Sequence, residues 1–126
     1  MAFRLIFILK LTLLLSTNLF GQSCKDIAYD SIKVKGQIIK YKLFKSGSHF
    51  DQNKNKIYDG EIVLPNFTID SDKSQLEDIL NRIGIKHKIK EFTAFEDCDA
   101  LNIYHSSLGI NKGATRGRIG TFKLDW

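Results

Sequence analysis

Apolar and charged residues alternate from Ser31 to Lys45, and lysine fills most of the polar positions. A period of two with one apolar side predicts a half-buried β-strand. The alternation changes phase at the neighbouring residues Ile38 and Ile39, close to Gly36. This shift predicts either a bulge or a break into two strands.

The polar segment from Ser46 to Lys56 is predicted to be a loop, and β character resumes from Ile57 to Ile69. Pro65 lies within this second strand. Because proline cannot donate a backbone hydrogen bond, it predicts that the strand continues only as an edge or a bend.

An amphipathic helix is predicted after this strand. Its apolar residues recur at the spacing of a single helical face. They are Leu76, Ile79, Leu80 and Ile83. Ser74 and Glu77 fit a capping box at the start, and Gly84 is expected to end the helix.

Two further strands are predicted, at 85–92 and at 119–126, from alternating apolar residues. The segment 96–108 fits either a strand or a helix that begins after Asp97 and ends at Gly109, and the helix is favoured. Together these elements predict an α+β fold. We expect a small two-layer sandwich, with one or two helices packed on one face of a mostly antiparallel sheet.

The first twenty residues have a different pattern, in which Arg4 precedes an apolar run and small residues follow. This layout is typical of a secretory signal peptide, predicted to span residues 1–23 and to leave a single domain at 24–126. A retained membrane anchor is the alternative. Lys10 interrupts the apolar run, however, and a span needs about 20 apolar residues. Cleavage after Gly21 or after Ser23 both fit.

Export predicts a secreted, periplasmic or cell-envelope protein without a membrane span after cleavage. Cys24 and Cys98 are the two cysteines of the chain, and an even number in an oxidising compartment predicts a disulfide bond between them. Lipidation of Cys24 is the alternative, although the preceding residues depart from a lipobox. The two hypotheses exclude each other.

The net charge of the chain is +5, mostly from lysine. Lysine is a solvated point charge that suits bidentate phosphate recognition less well than arginine does. A nucleic-acid partner is therefore not expected.

Oxygen-bearing side chains recur in the polar segment near residue 55, at Asp51, Asn53, Asn55, Asp59 and Glu61. The run resembles the start of an EF-hand-type calcium loop, and the resemblance implies a calcium site. It departs from that loop at Lys56, where glycine is expected, and at Ile62, where a bidentate glutamate belongs. A polar turn without an ion is the favoured interpretation, so no cofactor is expected and calcium is the alternative.

A second candidate site is the glycine-rich basic segment that contains Lys112, Arg116 and Arg118. Backbone amides and arginine side chains there could bind a phosphate, sulfate or carboxylate. A solvated loop without a ligand is the favoured interpretation, and the anion site is the alternative.

The sequence favours a non-catalytic binding or accessory domain whose partner is an unknown protein or an anionic ligand. No nucleophile, base and orienting group are clustered along the chain, and contacts are expected from the segments 46–56 and 111–118. The alternative is a small secreted hydrolase, with or without the assistance of a metal ion. Its candidate residues are His49, Asp51, Asp59, His87 and His105. Two histidines and an acid close together would favour the hydrolase.

Overall fold

A computed structural model describes residues 23–106 and 116–126. All but the last residue of the predicted signal peptide, and most of the basic segment 111–118, lie outside these ranges. The domain boundaries and the cleavage site therefore stay predictions.

The described chain contains five strands, two α-helices and a short 3₁₀ helix. The strands are β1 (Asp30–Val34), β2 (Gln37–Phe50), β3 (Lys56–Val63), β4 (Ile89–Phe95) and β5 (Arg118–Lys123); the helices are α1 (Lys73–His87) and α2 (Cys98–Ser106), and the 3₁₀ helix is Cys24–Asp26. The strands form one sheet in the order β1-β2-β3-β4-β5. Only the β3–β4 pair is parallel within it, because α1 connects these two strands. The predicted α+β class with a mostly antiparallel sheet is confirmed.

The phase shift near Gly36 is a break between two strands. Lys35 and Gly36 both have positive φ angles, of 50° and 81°, as a tight two-residue hairpin turn requires. Ile32 pairs with Ile39 across this hairpin. A bulge and a break were the two predicted alternatives, and the hairpin confirms the break.

The predicted loop 46–56 is wrong, since β2 continues to Phe50 and the turn covers only 51–55. Beyond Lys45 the β2–β3 pair is a ribbon whose side chains are mostly exposed. Backbone hydrogen bonds between β2 and β3 hold the two strands of this ribbon together. The ribbon therefore forms without the apolar alternation by which a strand is recognised in the sequence. β1 reaches only as far as Tyr41, which leaves the outer edge of β2 from Lys42 to Phe50 without a partner strand in the described chain.

Two apolar clusters lie on opposite faces of the sheet. Consecutive strand residues such as Ile62 and Val63, or Ala94 and Phe95, enter different clusters. Because successive side chains of a strand point to opposite faces, α1 covers one face and α2 with the disulfide covers part of the other. We call these the α1 face and the α2 face. The sequence predicted one or two helices on one face, and only α1 covers that face.

The predicted ends of α1 are wrong at both termini. The helix is capped by Asp72, whose Oδ1 accepts a hydrogen bond from the Ser74 N–H at 2.9 Å. It runs past Gly84 and ends at His87, and its C-cap residue Lys88 adopts the left-handed conformation. The next strand therefore begins at Ile89 rather than at residue 85. Gly84 is needed for close packing, because a Cβ there would lie 2.5 Å from the Ile89 carbonyl oxygen.

The helix favoured for 96–108 is confirmed as α2, and Asp97 Oδ1 accepts a hydrogen bond from the Ala100 N–H at 2.8 Å. β3 ends at Val63, before Pro65, so the strand predicted over 57–69 is shorter than expected. β5 ends at Lys123, but Leu124 and Trp126 still pack on the α1 face. Neither described helix combines the length and apolar character needed to cross a bilayer.

The predicted disulfide between Cys24 and Cys98 is present, with the two Cα atoms 5.6 Å apart. Both cysteines are buried in the cluster of the α2 face. The bond uses the sulfur that a lipid anchor on Cys24 would need. A buried disulfide fits an oxidising environment outside the cytoplasm.

Candidate functional site

Positive charge is concentrated on the side of the sheet that the β1–β2 hairpin forms. The segment from Asp30 to Tyr58 contains seven lysines and two acidic residues, Asp30 and Asp51. From Asp59 to Trp126, eleven acidic residues exceed nine basic ones. Since the first segment forms β1, β2 and the start of β3, the excess of lysine lies on the hairpin side of the sheet.

Two of these lysines flank one aromatic ring. Lys45 Nζ lies 4.1 Å from the centroid of the Tyr58 ring, and Lys56 Nζ lies 5.5 Å from it. The register of the β2–β3 ribbon places all three side chains on the α1 face, beyond its apolar core. An ammonium over an aromatic ring gains cation–π attraction, which favours these positions for both charges.

An open cavity of about 250 Å³ lies beside this ring. It is lined by Lys45, Ser46, Gly47, Ser48 and Tyr58, and with Lys56 we call it the basic pocket. Ser46 lies where the β2–β3 register shifts between Lys45 and Gly47. Lysine ammonium groups and serine hydroxyls are all hydrogen-bond donors, so the pocket can hold a negatively charged group. The sequence missed this site because it predicted a loop over 46–56, whereas the contact of Lys45 with Tyr58 depends on the pairing of β2 with β3.

The five residues of the calcium hypothesis are only partly brought together. Asp51 Oδ1 accepts hydrogen bonds from the N–H groups of Asn53, at 2.9 Å, and Asn55, at 2.8 Å. Asp59 and Glu61 instead lie along β3, on the α2 face. A turn closed by an aspartate side chain is an ordinary use of this residue. The calcium site stays a prediction.

Two histidines form separate pairs with carboxylates on the α2 face. His105 Nε2 lies 2.8 Å from Glu61 Oε2, and His49 Nδ1 lies 3.9 Å from Asp59 Oδ1. The Glu61 side chain is 11 % exposed, yet its Oε2 has no hydrogen bond of good geometry in the described chain. The contact with His105 is therefore a close approach of the two groups, and it is an ion pair only when His105 carries a proton. Within residues 23–106 and 116–126, no three His, Cys, Asp or Glu side chains are placed to hold a metal ion.

His87, the third histidine, belongs to a hydrogen-bonded chain at the end of α1. The Tyr41 hydroxyl lies 3.2 Å from both Asp30 Oδ2 and His87 Nε2. Because a carboxylate can only accept, Tyr41 donates to Asp30 and accepts from His87. Burial raises the pKa of Tyr41 to about 12. Burial also lowers the pKa of His87, and the Ser31 N–H lowers that of Asp30.

The structure describes only residues 116–118 of the basic segment, so Lys112 lies outside the described residues. Arg116 lines a cavity of about 340 Å³ together with Glu96, Asp97 and Asp99. Arg118 Nη2 donates to Thr121 Oγ1 at 2.7 Å. Anion binding by Lys112, Arg116 and Arg118 stays a prediction.

Lys42 was not expected to be buried, because its place in the lysine alternation predicts an outward side chain. It is only 6 % exposed. Its Nζ donates to the Cys24 carbonyl oxygen at 2.9 Å and lies 3.9 Å from Cys98 Sγ. The same ammonium lies 4.5 Å from the centroid of the Tyr29 ring.

No protein-family model, no curated protein and no solved structure matches the chain. Charge and geometry are therefore the basis on which a function is assigned.

Proposed function

We propose that the chain is an exported, non-catalytic binding domain, and that its ligand is anionic and bound at the basic pocket. The observation that carries this proposal is the pair of ammonium groups, from Lys45 and Lys56, over the single ring of Tyr58. The signal-peptide pattern and the buried disulfide support export.

The pocket suits an anion for three physical reasons. The surrounding segment has a strong excess of lysine, which attracts negative charge over several ångströms. Lys45 and Ser48 line the same open cavity, so a charged donor and a hydroxyl donor are both present there. Tyr58 is held by the bond from its N–H to the Lys88 carbonyl oxygen at 2.8 Å, which fixes the strand that carries the ring.

The ligand class is tested with a fluorescent sulfated oligosaccharide as the probe. The variant Lys45→Gln/Lys56→Gln should bind it about tenfold more weakly than wild type, because two charged contacts are lost. The affinity of the wild type should also fall steeply with added salt. Fluorescence anisotropy at several salt concentrations measures both effects.

The matched control is Lys73→Gln/Lys123→Gln, which removes the same charge from exposed residues of α1 and β5. Its affinity should stay within about twofold of wild type, since only screened long-range charge is lost. Equal losses in the two double variants, or no binding by the wild type, would refute a specific anion site at the pocket.

The hydrolase alternative has less support. It requires two histidines and an acid close together, whereas His49 and His105 contact different carboxylates, Asp59 and Glu61. His87 is engaged with Tyr41 on the other face of the sheet.

A further inference from the structure

Lys42 is a buried positive charge without a negative partner. In residues 23–106 and 116–126 no carboxylate forms an ion pair with it. Its polar contact is the Cys24 carbonyl oxygen, and an aromatic ring covers it. Removing an ammonium from water is costly unless an opposite charge compensates it. The oxidised protein therefore retains a buried charge that is only partly compensated.

The group best placed to compensate this charge is the sulfur of Cys98. Lys42 Nζ lies 3.9 Å from Cys98 Sγ, and Cys98 is the first residue of α2. The start of a helix stabilises negative charge because its first N–H groups are unpaired and its dipole is positive there. In the disulfide this sulfur is neutral, but in the reduced protein it can become a thiolate. Lys42 and α2 thus both favour the reduced form with charge on Cys98.

We propose that the Cys24–Cys98 bond is a redox-active site that accepts two electrons from an external dithiol, with Cys98 leaving as a thiolate stabilised by Lys42. This activity is separate from anion binding at the basic pocket. It assigns a role to Lys42, the one lysine that is buried among the described residues and that the proposed function does not use.

The exchange proceeds in two steps. One thiol of the dithiol loses its proton to solvent and attacks Cys24 Sγ, which forms a mixed disulfide. The Cys24–Cys98 bond breaks, and its electron pair goes to Cys98 Sγ beside the Lys42 ammonium. The second thiol, after losing its proton, attacks the dithiol's own sulfur in the mixed disulfide. Cys24 leaves as a thiolate and takes a proton from water, while the dithiol becomes a cyclic disulfide.

Attack is directed to Cys24 for two reasons. The better leaving group is the thiolate with more stabilisation, which is Cys98. Cys24 also lies in a 3₁₀ helix of only three residues, between the exposed residues Ser23 and Lys25. This helix is tied to α2 by the exposed ion pair of Lys25 with Asp99, at 3.2 Å. Exposed ion pairs contribute little, so this contact does little to hold the short helix in place. Cys24 itself is 4 % exposed and its carbonyl oxygen accepts from Lys42, so attack on Cys24 Sγ requires the short helix to move away from α2.

The role of Lys42 is tested by titrating the disulfide with mixtures of reduced and oxidised dithiothreitol. The reduced fraction is read by alkylation and intact mass. Lys42→Met should need a ratio of reduced to oxidised reagent about tenfold higher for half reduction, because the thiolate loses a charged contact. Lys42→Arg keeps the charge and should restore a ratio close to that of wild type. Lys40→Met, an exposed neighbour on the same strand, is the matched control and should leave the ratio unchanged.

The direction of attack is tested on the wild-type protein, so it does not depend on whether a variant folds. Brief treatment with reduced glutathione, a monothiol, followed by acid quenching should trap the mixed disulfide on Cys24. Peptide mapping by mass spectrometry locates it. An adduct on Cys98, an unchanged ratio in Lys42→Met, or a native disulfide that dithiothreitol fails to reduce would each overturn the proposal.

Discussion

At the residue scale, the most constrained polar group is the hydroxyl of Tyr41. The side chain is fully buried, and its oxygen links the carboxylate of Asp30 to the ring of His87. The pKa of His87 is lowered mainly by burial, so the unfolded chain takes up protons more readily. This contribution to stability is complete above the unfolded pKa of about 6.5 and decreases as the pH falls below it.

Tyr41 gives the opposite dependence at high pH. Its pKa is about 12 in the folded protein and about 10 in the unfolded chain. Stability from the neutral phenol is therefore complete below about pH 10 and is lost as the pH rises towards 12. The free energy of unfolding of the wild type should exceed that of Tyr41→Phe by an amount that decreases between about pH 9 and about pH 12. Urea unfolding at several pH values measures this difference.

The control for this prediction is Tyr29→Phe, since Tyr29 is 47 % exposed. The free energy of unfolding of Tyr29→Phe, plotted against pH, should run parallel to that of the wild type. A constant difference between wild type and Tyr41→Phe over the same range would show that the buried phenol does not set the alkaline limit.

Residue-scale chemistry was only partly predictable. The pairing of Cys24 with Cys98 followed from their number and the expected compartment. The burial of Lys42 could not be predicted, because a lysine in an alternating strand is normally solvated. The groups that cover it, Cys24 and the Tyr29 ring, are brought to the α2 face by the tertiary fold. The contact of His105 with Glu61 also depends on how α2 packs across the sheet, which residue spacing does not define.

At the scale of elements, the start of α1 distinguishes two capping residues. Asp72 accepts a hydrogen bond from the helix, whereas the sequence favoured Ser74 as the cap. Asp72→Ala should reduce the free energy of unfolding by about 1 kcal/mol. Ser74→Ala should change it by less than about 0.5 kcal/mol, because Ser74 is exposed and lies within the first turn. Equilibrium urea unfolding compares the two variants.

Elements with a strong period were predicted, and their ends were not. The apolar stripe of α1 is buried as expected, since its spacing matches one helical face. The helix passes through Gly84 because that residue allows contact with the Ile89 backbone, and a tertiary contact of this kind leaves no trace in local sequence. The ribbon beyond Lys45 was missed for a related reason, because backbone pairing there does not need apolar side chains.

At the scale of the whole molecule, the disulfide joins residues 74 positions apart. Closing a loop of this size lowers the entropy of the unfolded chain, and the chain-entropy model gives about 4 kcal/mol of stabilisation. We expect Cys24→Ser/Cys98→Ser to lose about 2–4 kcal/mol, since measured values are often smaller. Thermal and urea unfolding under non-reducing conditions test this.

Lys25→Ala is the matched control, because it removes a surface ion pair that connects the same two segments. It should cost less than about 1 kcal/mol. A similar loss in the free energy of unfolding in Lys25→Ala and in Cys24→Ser/Cys98→Ser would mean that the disulfide adds little stability beyond the contacts around it.

An unpaired strand edge can recruit a second chain and so begin aggregation. The outer edge of β2 is of this kind from Lys42 to Phe50. It is interrupted by the register shift near Ser46, and Lys45 adds a charge that two copies of the chain would have to bring together. The irregularity and the lysine that shape the basic pocket therefore also oppose edge-to-edge polymerisation.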